Sequence, residues 1–402
     1  MKLNFSILLL LATLVCSAQP GSIDKKSFKR LKQNVSYLAS DKLEGRRTGT
    51  AGEKLAYEYI STQFKKAGLA PMGSNGYLQA FPVKNEANST GHNVVGYIDN
   101  KATHTVILGA HYDHLGYGED KNSMYRGDSL MIHNGADDNA SGTAALIELG
   151  YWLKKSKLTN YNYILVAFSG EELGLFGSKY FTEHSPVNLS TVNYMINLDM
   201  VGRLNDSTHG ISIGGYGTSP VWGQLIKTND RYFTIKADSS GTGPSDHTSF
   251  YIKDLPVLFF FTGTHYDYHK PSDDAGKINY TGIAYIVNYI KGILTATNAQ
   301  PKIAFTKTRE THTGKSSSFK VTLGVLLDYS FAGPGIYIDA VTEDRPAHKA
   351  GILAKDIVLQ IGSYPIADVQ GYMQALGKFE KGQTTEARVK RGDKELTLPI
   401  TF

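Results

Sequence analysis

Residue types that bind divalent metal ions follow several short apolar runs of this sequence. The runs 106–110, 163–168, 195–198 and 257–261 lead into His111 and Asp113, into Glu171 and Glu172, into Asp199, and into His265 and His269. Near-continuous apolar runs separated by helical patterns predict buried parallel strands. The carboxyl ends of such strands meet at one edge of the sheet, where α/β proteins bind their ligands. We therefore expect these side chains to lie close together.

A further polar segment, Gly-Ala-Asp-Asp-Asn-Ala-Ser-Gly at 135–142, leads into the predicted helix 141–153. Each piece has an ordinary explanation when it is taken alone, because an Asp pair commonly caps a helix and a Glu pair is commonly solvated. Taken together, the histidines and carboxylates have the nitrogen and oxygen composition of a two-zinc site. The sequence contains 1 cysteine, which excludes a zinc site built from several thiolates.

These segments resemble the zinc aminopeptidase family M28, whose members are similar to bacterial leucyl aminopeptidases and glutamate carboxypeptidase. The motifs that carry the resemblance are His111-Tyr112-Asp113, 135–142, 169–174, 176–178, 197–200 and Tyr268-His269. The similarity covers about 35–296, and Leu43-Glu44-Gly45-Arg46 also fits the N-terminal segment of the family. The resemblance implies a peptidase that uses two zinc ions, and other divalent metals suit the same ligands.

The resemblance also implies a role for individual residues. Asp137 is expected to bridge the two zinc ions, and family members have a cis peptide after the bridging aspartate, here Asp137–Asp138. The remaining ligands would be His111 and Asp199 for one ion, and Glu172 and His269 for the other. Glu171 would take a proton from the metal-bridging water and deliver it to the leaving amine. Asp113 would orient the imidazole of His111.

Other polar residues near the motifs have two interpretations each. Tyr268 is interpreted either as a hydrogen-bond donor to the developing oxyanion or as an aromatic ring that packs beside His269. His247 and His265 either line the substrate pocket or make ordinary loop hydrogen bonds. Asp273, which follows a proline, is interpreted as part of a helix start without a chemical role.

The apolar pattern between 94 and 296 predicts an α/β fold, with a mostly parallel or mixed twisted sheet flanked by helices. Upstream, 35–68 is predicted to be helical, since Thr50 and Glu53 have capping-box spacing and Gly68 is a typical helix end. A chain of 402 residues is long enough for two or three domains at roughly 150 residues each.

The C-terminal part of the sequence resembles a PDZ domain. Its motifs are Pro-Ala-His-Lys-Ala-Gly-Ile at 346–352 and Asp-Ile-Val-Leu-Gln-Ile-Gly at 356–362, with Lys355 where the family usually has glycine. The resemblance implies that an extended peptide or a C-terminus binds by strand addition, with its carboxylate near Leu323 and Gly324. The alternative is a small β-rich cap that only packs against the enzyme.

The predicted organisation has four segments. They are a signal peptide 1–18, a peptidase domain 19–298, a linker 299–318 and a PDZ domain 319–402. Lys2 precedes the apolar run 7–15, which is too short to span ~30 Å of hydrocarbon, and Ala18 is a suitable cleavage site. We expect export to the periplasm or the medium, and no membrane segment after cleavage. Lipidation at Cys16 is disfavoured because the preceding residue is bulky.

The composition excludes several classes of protein. Hydrophobic residues at 41% and charged residues at 20% are typical of a globular chain, and not of a disordered or coiled-coil one. The net charge of +5 is spread without a Lys/Arg block, so we expect no nucleic-acid partner.

The leading hypothesis for function is an exported dizinc aminopeptidase that removes N-terminal residues from peptides. A glutaminyl cyclase, which acts with a single zinc ion and needs no hydrolysis, is the first alternative. A non-catalytic peptide-binding protein on the same scaffold is the second, and it predicts a missing ligand or a missing base. All the expected ligands and the base are present in the sequence.

Overall fold

The computed structural model describes residues 23–83, 89–120, 122–125, 127, 129–226, 230, 232–308, 321–328, 333–341, 344–367 and 369–402. The predicted signal peptide 1–18 and the linker residues 309–318 lie outside this set. Within the described part of the chain, no helix is long and apolar enough to cross a membrane.

The large domain contains strands and helices in alternation. The strands are β1 (Ala70–Pro71), β2 (Leu78–Pro82), β3 (Thr90–Ile98), β4 (Thr105–His111), β5 (Asn162–Phe168), β6 (Val192–Leu198), β7 (Gly210–Gly214), β8 (Thr234–Ala237) and β9 (Val257–Phe261). The helices are α1 (Lys25–Leu38), α2 (Ala51–Ala67), α3 (Gly142–Lys155), α4 (Phe176–Glu183), α5 (Trp222–Leu225), α6 (His247–Tyr251) and α7 (Tyr280–Asn298).

The strands form one mixed sheet with a parallel centre. Its order is β1-β3-β5-β4-β6-β9-β7-β8, and β2 pairs with β3. Strands β5, β4, β6 and β9 run parallel, whereas β3 and β7 are antiparallel to their neighbours β5 and β9. The predicted sheet of parallel and mixed strands flanked by helices is therefore confirmed.

Side chains of the central strands alternate between two apolar layers. Val106, Leu108 and Ala110 of β4 join the cluster that contains α1, α2, α3 and α7, whereas Ile107 joins the cluster that contains α4 and α6. Because both faces are covered, β4 is buried along its whole length, which explains why it is apolar throughout. The polar residues that follow the strands are thus held by rigid elements.

The prediction that 35–68 is helical is correct for the end of α1 and for α2, and it is wrong between them, where the chain turns sharply. Glu44, Gly45 and Arg46 adopt positive φ angles of 45°, 70° and 51° within this turn. The predicted ends of α2 are confirmed, since the N–H of Glu53 donates to Thr50 Oγ1 at 3.3 Å and Gly68 follows the helix with φ 82°.

The small domain is a separate β-rich unit with its own core. Its elements are β10 (Val325–Asp328), β11 (Ile336–Val341), α8 (Pro346–Ala350), β12 (Ile357–Ile361), β13 (Tyr364–Pro365), α9 (Val369–Leu376), β14 (Thr384–Arg391) and β15 (Lys394–Thr401). The sheet order is β10-β11-β12-β14-β15 with β13 beside β12. This confirms the predicted β-rich C-terminal region.

The first part of the predicted linker packs on the large domain. Ile303 is buried in the large core, and its N–H donates to Asn193 Oδ1 at 2.8 Å. Thr308 Oγ1 donates to the hydroxyl of Tyr251 at 3.0 Å. Residues 303–308 therefore extend the large domain beyond the predicted boundary at 298.

Candidate metal centre

The carboxyl ends of the central strands bring four of the five predicted ligands together. His111 ends β4, Asp199 follows β6, Glu172 lies in the turn after β5, and His269 lies in the loop after β9. The first group of contacts joins His111 Nε2 to Asp199 Oδ1 at 3.2 Å and to Asp138 Oδ1 at 3.3 Å. These nitrogen and oxygen atoms lie close enough to share one metal ion.

A second group of contacts lies beside the first. His269 Nε2 is 3.3 Å from Asp138 Oδ2 and 3.2 Å from Glu172 Oε2. His269 Nδ1 is 2.9 Å from the carbonyl oxygen of Asn122, and donation to this carbonyl leaves Nε2 as the ring nitrogen that faces the carboxylates. Asp138 thus presents one oxygen to each group, which is the arrangement of a carboxylate that bridges two metal ions.

The expectation that Asp137 bridges the two groups is wrong by one residue. The Asp137 carboxylate accepts hydrogen bonds from the Gly202 N–H at 2.6 Å and from Ser141 Oγ at 3.0 Å. His265 Nε2 lies 3.1 Å from its other oxygen. Since these three donors occupy the Asp137 carboxylate, it fixes the loop, while the carboxylate of its neighbour Asp138 contacts His111 and His269.

The cis peptide bond also lies one position later than expected. It joins Asp138 to Asn139, rather than Asp137 to Asp138. The bond follows the residue that contacts both groups, as the resemblance implied for the bridging aspartate.

His114 belongs to the cluster although the sequence analysis did not assign it a role. Its Nδ1 lies 2.8 Å from Glu172 Oε1 and 3.9 Å from Asp138 Oδ2, and the residue is 1% exposed. His114, Asp138 and Glu172 form a second set of side chains that is suited to a metal ion. Its position directly after His111-Tyr112-Asp113 was the one available signal in the sequence.

Asp113 lies close to the cluster, but its carboxylate does not make the expected hydrogen bond to the imidazole of His111. Its carboxylate is 3.6 Å from His111 Nδ1, which is longer than a hydrogen bond. The same carboxylate accepts from the N–H groups of Glu171 and Glu172, both at 3.3 Å, and from Thr48 Oγ1 at 3.2 Å. Asp113 therefore positions the turn that carries the two glutamates.

Asp273 positions the loop that carries Asp138, and the sequence analysis gave it no role. Its Oδ2 accepts from the N–H of Asp137 at 2.9 Å and from the N–H of Asp138 at 3.1 Å. Its main-chain oxygen accepts from the Ala136 N–H at 2.9 Å. These contacts connect the loop after β9, which carries His269, to the loop before α3, which carries Asp138. They therefore fix the position of one loop relative to the other.

In the second group, the pKa values of Glu172 and His269 depend on each other. Burial opposes ionisation of Glu172, yet the nearby His269 and the hydrogen bonds from both histidines lower the pKa of Glu172 to about 2. Burial likewise opposes protonation of His269, but Glu172 and Asp138 raise the pKa of His269 to about 11. The carboxylates therefore favour positive charge at this position strongly, as a site for a divalent cation requires.

Glu171 and Tyr268 lie in the same electrostatic environment. Burial and repulsion from Glu172 and Asp199 raise the pKa of Glu171 well above its ordinary value, although His111 acts in the opposite direction. Burial and the charges of Asp138 and Glu172 raise the pKa of Tyr268, whose hydroxyl therefore remains protonated. The ring of Tyr268 stacks on His269 with centroids 3.9 Å apart, so the expected packing contact is present.

The two other histidines of interest have different environments. His247 is 1% exposed, and its ring stacks on Phe259 with centroids 4.4 Å apart, so it does not line an open pocket. His265 is only partly buried and contacts Asp137, while its Nδ1 accepts from the Asp267 N–H at 3.2 Å. His265 therefore makes the loop hydrogen bonds that were one of its two interpretations.

Comparisons with known proteins agree with this fold. The model of peptidase family M28 matches residues 93–293, and a PDZ domain model matches residues 303–402. Leupeptin-inactivating enzyme 1 of Streptomyces exfoliatus is 26% identical, over 64% of this chain and 53% of that protein. Aminopeptidase YwaD of Bacillus subtilis is 27% identical, over 48% of this chain and 41% of that protein. The chain thus spans about half the length of these two relatives.

Solved structures with a similar fold include enzymes of two kinds. A Zn-dependent exopeptidase from Parabacteroides distasonis has a TM-score of 0.56 at 17% identity, covering 68% of this chain and 99% of that one. Glutaminyl cyclase from Porphyromonas gingivalis has a TM-score of 0.56 at 18% identity, covering 68% of this chain and 98% of that one. The chain has the fold of these enzymes, and its clustered side chains lie at the strand ends of that fold. The chain belongs to peptidase family M28 and carries a C-terminal PDZ domain.

The buried His247 gives a prediction about acid stability. Burial lowers the pKa of His247 to about 3, below the value near 6.5 of an unfolded histidine. Between these values the unfolded state binds one more proton, so acidification costs about 1.4 kcal/mol of stability per pH unit from this group. We expect His247→Phe to flatten the decline in stability between pH 6 and pH 4 by about this amount.

The measurement is urea unfolding of the metal-free protein, followed by the fluorescence of Trp152 and Trp222, both of which lie in the large domain. His184→Gln, at an exposed position, serves as the control and should keep the wild-type slope. An unchanged slope in His247→Phe would contradict the assignment.

Proposed function

We propose that this protein is a dizinc aminopeptidase that hydrolyses N-terminal residues from peptides. The observation that carries the proposal is Asp138, whose two oxygens contact His111 and His269 on opposite sides. With Asp199 on one side and Glu172 on the other, each group offers imidazole and carboxylate ligands of the kind that zinc prefers. When bound, two zinc ions supply Lewis acidity that activates water and polarises the scissile carbonyl.

Glu171 is the proposed general base. It directly precedes the ligand Glu172, and its main-chain N–H is held by Asp113. Burial and the neighbouring carboxylates raise the pKa of the Glu171 carboxyl, and nearby bound cations would lower that pKa again. In this role Glu171 takes the proton of the attacking water and returns it to the leaving amine.

Tyr268 is proposed to donate a hydrogen bond to the oxyanion that forms at the scissile carbonyl. Its hydroxyl keeps its proton because of burial and the surrounding carboxylates, and its ring is fixed by stacking on the ligand His269. A preorganised donor of this type stabilises charge that develops only in the transition state.

Glutaminyl cyclisation is the second candidate function. The observation in its favour is that the cyclase and exopeptidase structures match this fold with equal TM-scores of 0.56. The complete first group favours two metals over one, because His111 and Asp199 lie in contact with a carboxylate that also serves the second group. Cyclisation of peptides with N-terminal glutamine, with one zinc per chain, would replace the leading proposal.

The PDZ domain is proposed to bind the C-terminal carboxylate of an extended peptide. Gly324 has φ 73° directly before β10, which is the terminal strand in the order of the small sheet, and this position supports the addition of a peptide strand beside the turn. We also propose export of the protein, on the basis of the charged, apolar and small-residue sequence at 1–18.

The role of Glu171 predicts a loss of turnover without a loss of metal. We expect Glu171→Gln to lower kcat for aminoacyl and peptide substrates by roughly 10²–10⁴-fold, because proton transfer is lost. Metal analysis should give about two zinc ions per chain in both proteins. Glu58→Gln, on the exposed face of α2, is the control and should retain wild-type activity. Wild-type turnover in Glu171→Gln would exclude this residue as the base.

Because the adjacent aspartates have different contacts, we predict that their asparagine variants differ in zinc content and in thermal stability. We expect Asp138→Asn to lose zinc and activity, since it contacts both groups. Asp137→Asn should lower thermal stability, because an amide cannot accept all the bonds that Asp137 accepts, and it should still bind zinc at saturating metal. Metal content after dialysis and thermal unfolding of both variants measure this. Loss of zinc from Asp137→Asn alone would restore the original assignment.

The proposed PDZ function predicts recognition of a free carboxylate. We expect a hexapeptide that ends in valine to bind the full chain through its free C-terminal carboxylate. The peptide carries an N-terminal dansyl label, which serves as the fluorophore and also blocks aminopeptidase cleavage. The same peptide with a C-terminal amide should bind at least about tenfold more weakly, since an amide lacks the charge that the turn before β10 would hold. Fluorescence polarisation measures both affinities, and equal affinities would contradict carboxylate recognition.

A further inference from the structure

The guanidinium of Arg46 lies fully buried between the loops that carry the proposed ligands. Arg46 is 0% exposed and belongs to the turn that separates α1 from α2. Desolvation lowers the pKa of Arg46 to about 10, opposed by nearby carboxylates that include Asp113 and Asp138. The side chain therefore carries a positive charge at neutral pH inside the protein.

The hydrogen bonds of this guanidinium connect three segments of the chain. Nε donates to the carbonyl of Tyr112 at 2.7 Å. Nη1 donates to the carbonyls of Leu38 and Asn134, both at 2.6 Å, and Nη2 donates to the carbonyl of Gly135 at 3.1 Å. Within the described part of the chain, its partners are thus main-chain carbonyls rather than carboxylates.

The carbonyls that accept hydrogen bonds from Arg46 include main-chain groups of the two loops that carry side chains of the metal centre. Tyr112 lies between His111 and Asp113, and Gly135 begins the loop that contains Asp138. The Arg46 carbonyl in turn accepts from the His114 N–H at 3.4 Å. One planar side chain therefore sets the separation of the two loops whose side chains must meet at the cluster.

The main chain around Arg46 is shaped to bring the guanidinium to this place. Gly45 has φ 70°, and a Cβ atom there would lie 2.6 Å from the carbonyl oxygens of Gly116 and His133. The turn therefore packs directly against the segment that follows His114, which leaves the Arg46 side chain directed inward.

We propose that Arg46 is a positioning residue that holds the 111–114 and 135–138 loops at the spacing that the metal centre requires. The inference rests on the proposed function only in so far as the cluster binds zinc. A lysine at this position supplies charge but not the planar set of donors, so geometry and charge are separable by substitution.

The experiment compares Arg46→Lys and Arg46→Met with wild type in the full chain. Zinc affinity is measured by competition with a chromophoric chelator, and the coordination geometry by the visible spectrum of the cobalt-substituted protein. We expect both variants to bind zinc about 10–100-fold more weakly, as loss of residues that support metal ligands typically does, and to show altered cobalt spectra.

Arg30→Met is the matched control. Arg30 joins α1 to α3 through Glu148, with Nε 2.7 Å from a carboxylate oxygen, and lies outside the ligand loops. Its loss should lower stability but leave the zinc affinity and the cobalt spectrum unchanged. Circular dichroism and the fluorescence of Trp152 and Trp222 establish that each variant is folded, and Arg46→Lys carries the comparison should Arg46→Met not fold.

Wild-type zinc affinity and cobalt spectra in the folded Arg46 variants would overturn the inference. Tighter zinc binding by Arg46→Met with unchanged binding by Arg46→Lys would also overturn it, because the charge alone would then matter. Wild-type protein that binds zinc but hydrolyses no peptide would refute the proposed function while the inference stands. Wild-type protein that binds no zinc would refute both.

Discussion

The concentration of carboxylates at the strand ends is the constraint on which the rest of this structure depends. Asp113, Asp138 and Asp199 are buried, and Glu171 and Glu172 lie beside them. Like charges repel strongly where water is scarce, so the cluster is stable only with cations and hydrogen-bond donors around it. Imidazoles, the buried guanidinium and main-chain N–H groups meet part of this requirement, and the proposed zinc ions would meet the rest.

The fold meets this constraint by fixing each charged side chain at the end of a rigid element. Strands β4, β5 and β6 are buried along their length and leave little freedom for the residues that follow them. Residues far apart in the chain then connect the loops to one another, as Asp273 does through the main-chain N–H groups of Asp137 and Asp138. The cluster is consequently preorganised by hydrogen bonds between the loops that carry its side chains.

The sequence predicted what periodicity and local chemistry determine. The run at Val257–Phe261 matches β9, and the apolar runs before His111 and Asp199 lie within the observed strands. Asp137 was chosen in place of Asp138 because neighbouring aspartates have the same chemistry, and only their tertiary contacts distinguish them. The roles of Arg46 and Asp273 were missed for a related reason, since both act through main-chain partners distant in the sequence, which leave no local pattern.

In the loop from Gly135 to Ser141, two adjacent aspartates contact separate sets of partners. Removal or insertion of a single residue there would shift both aspartates relative to the rest of the fold, so that one of the two positions would no longer hold a carboxylate. Divergence among homologues should accordingly preserve the length of this segment even where its composition drifts. Selection would therefore act on the length of this loop. A gap within it in an alignment would indicate a homologue whose cluster is incomplete.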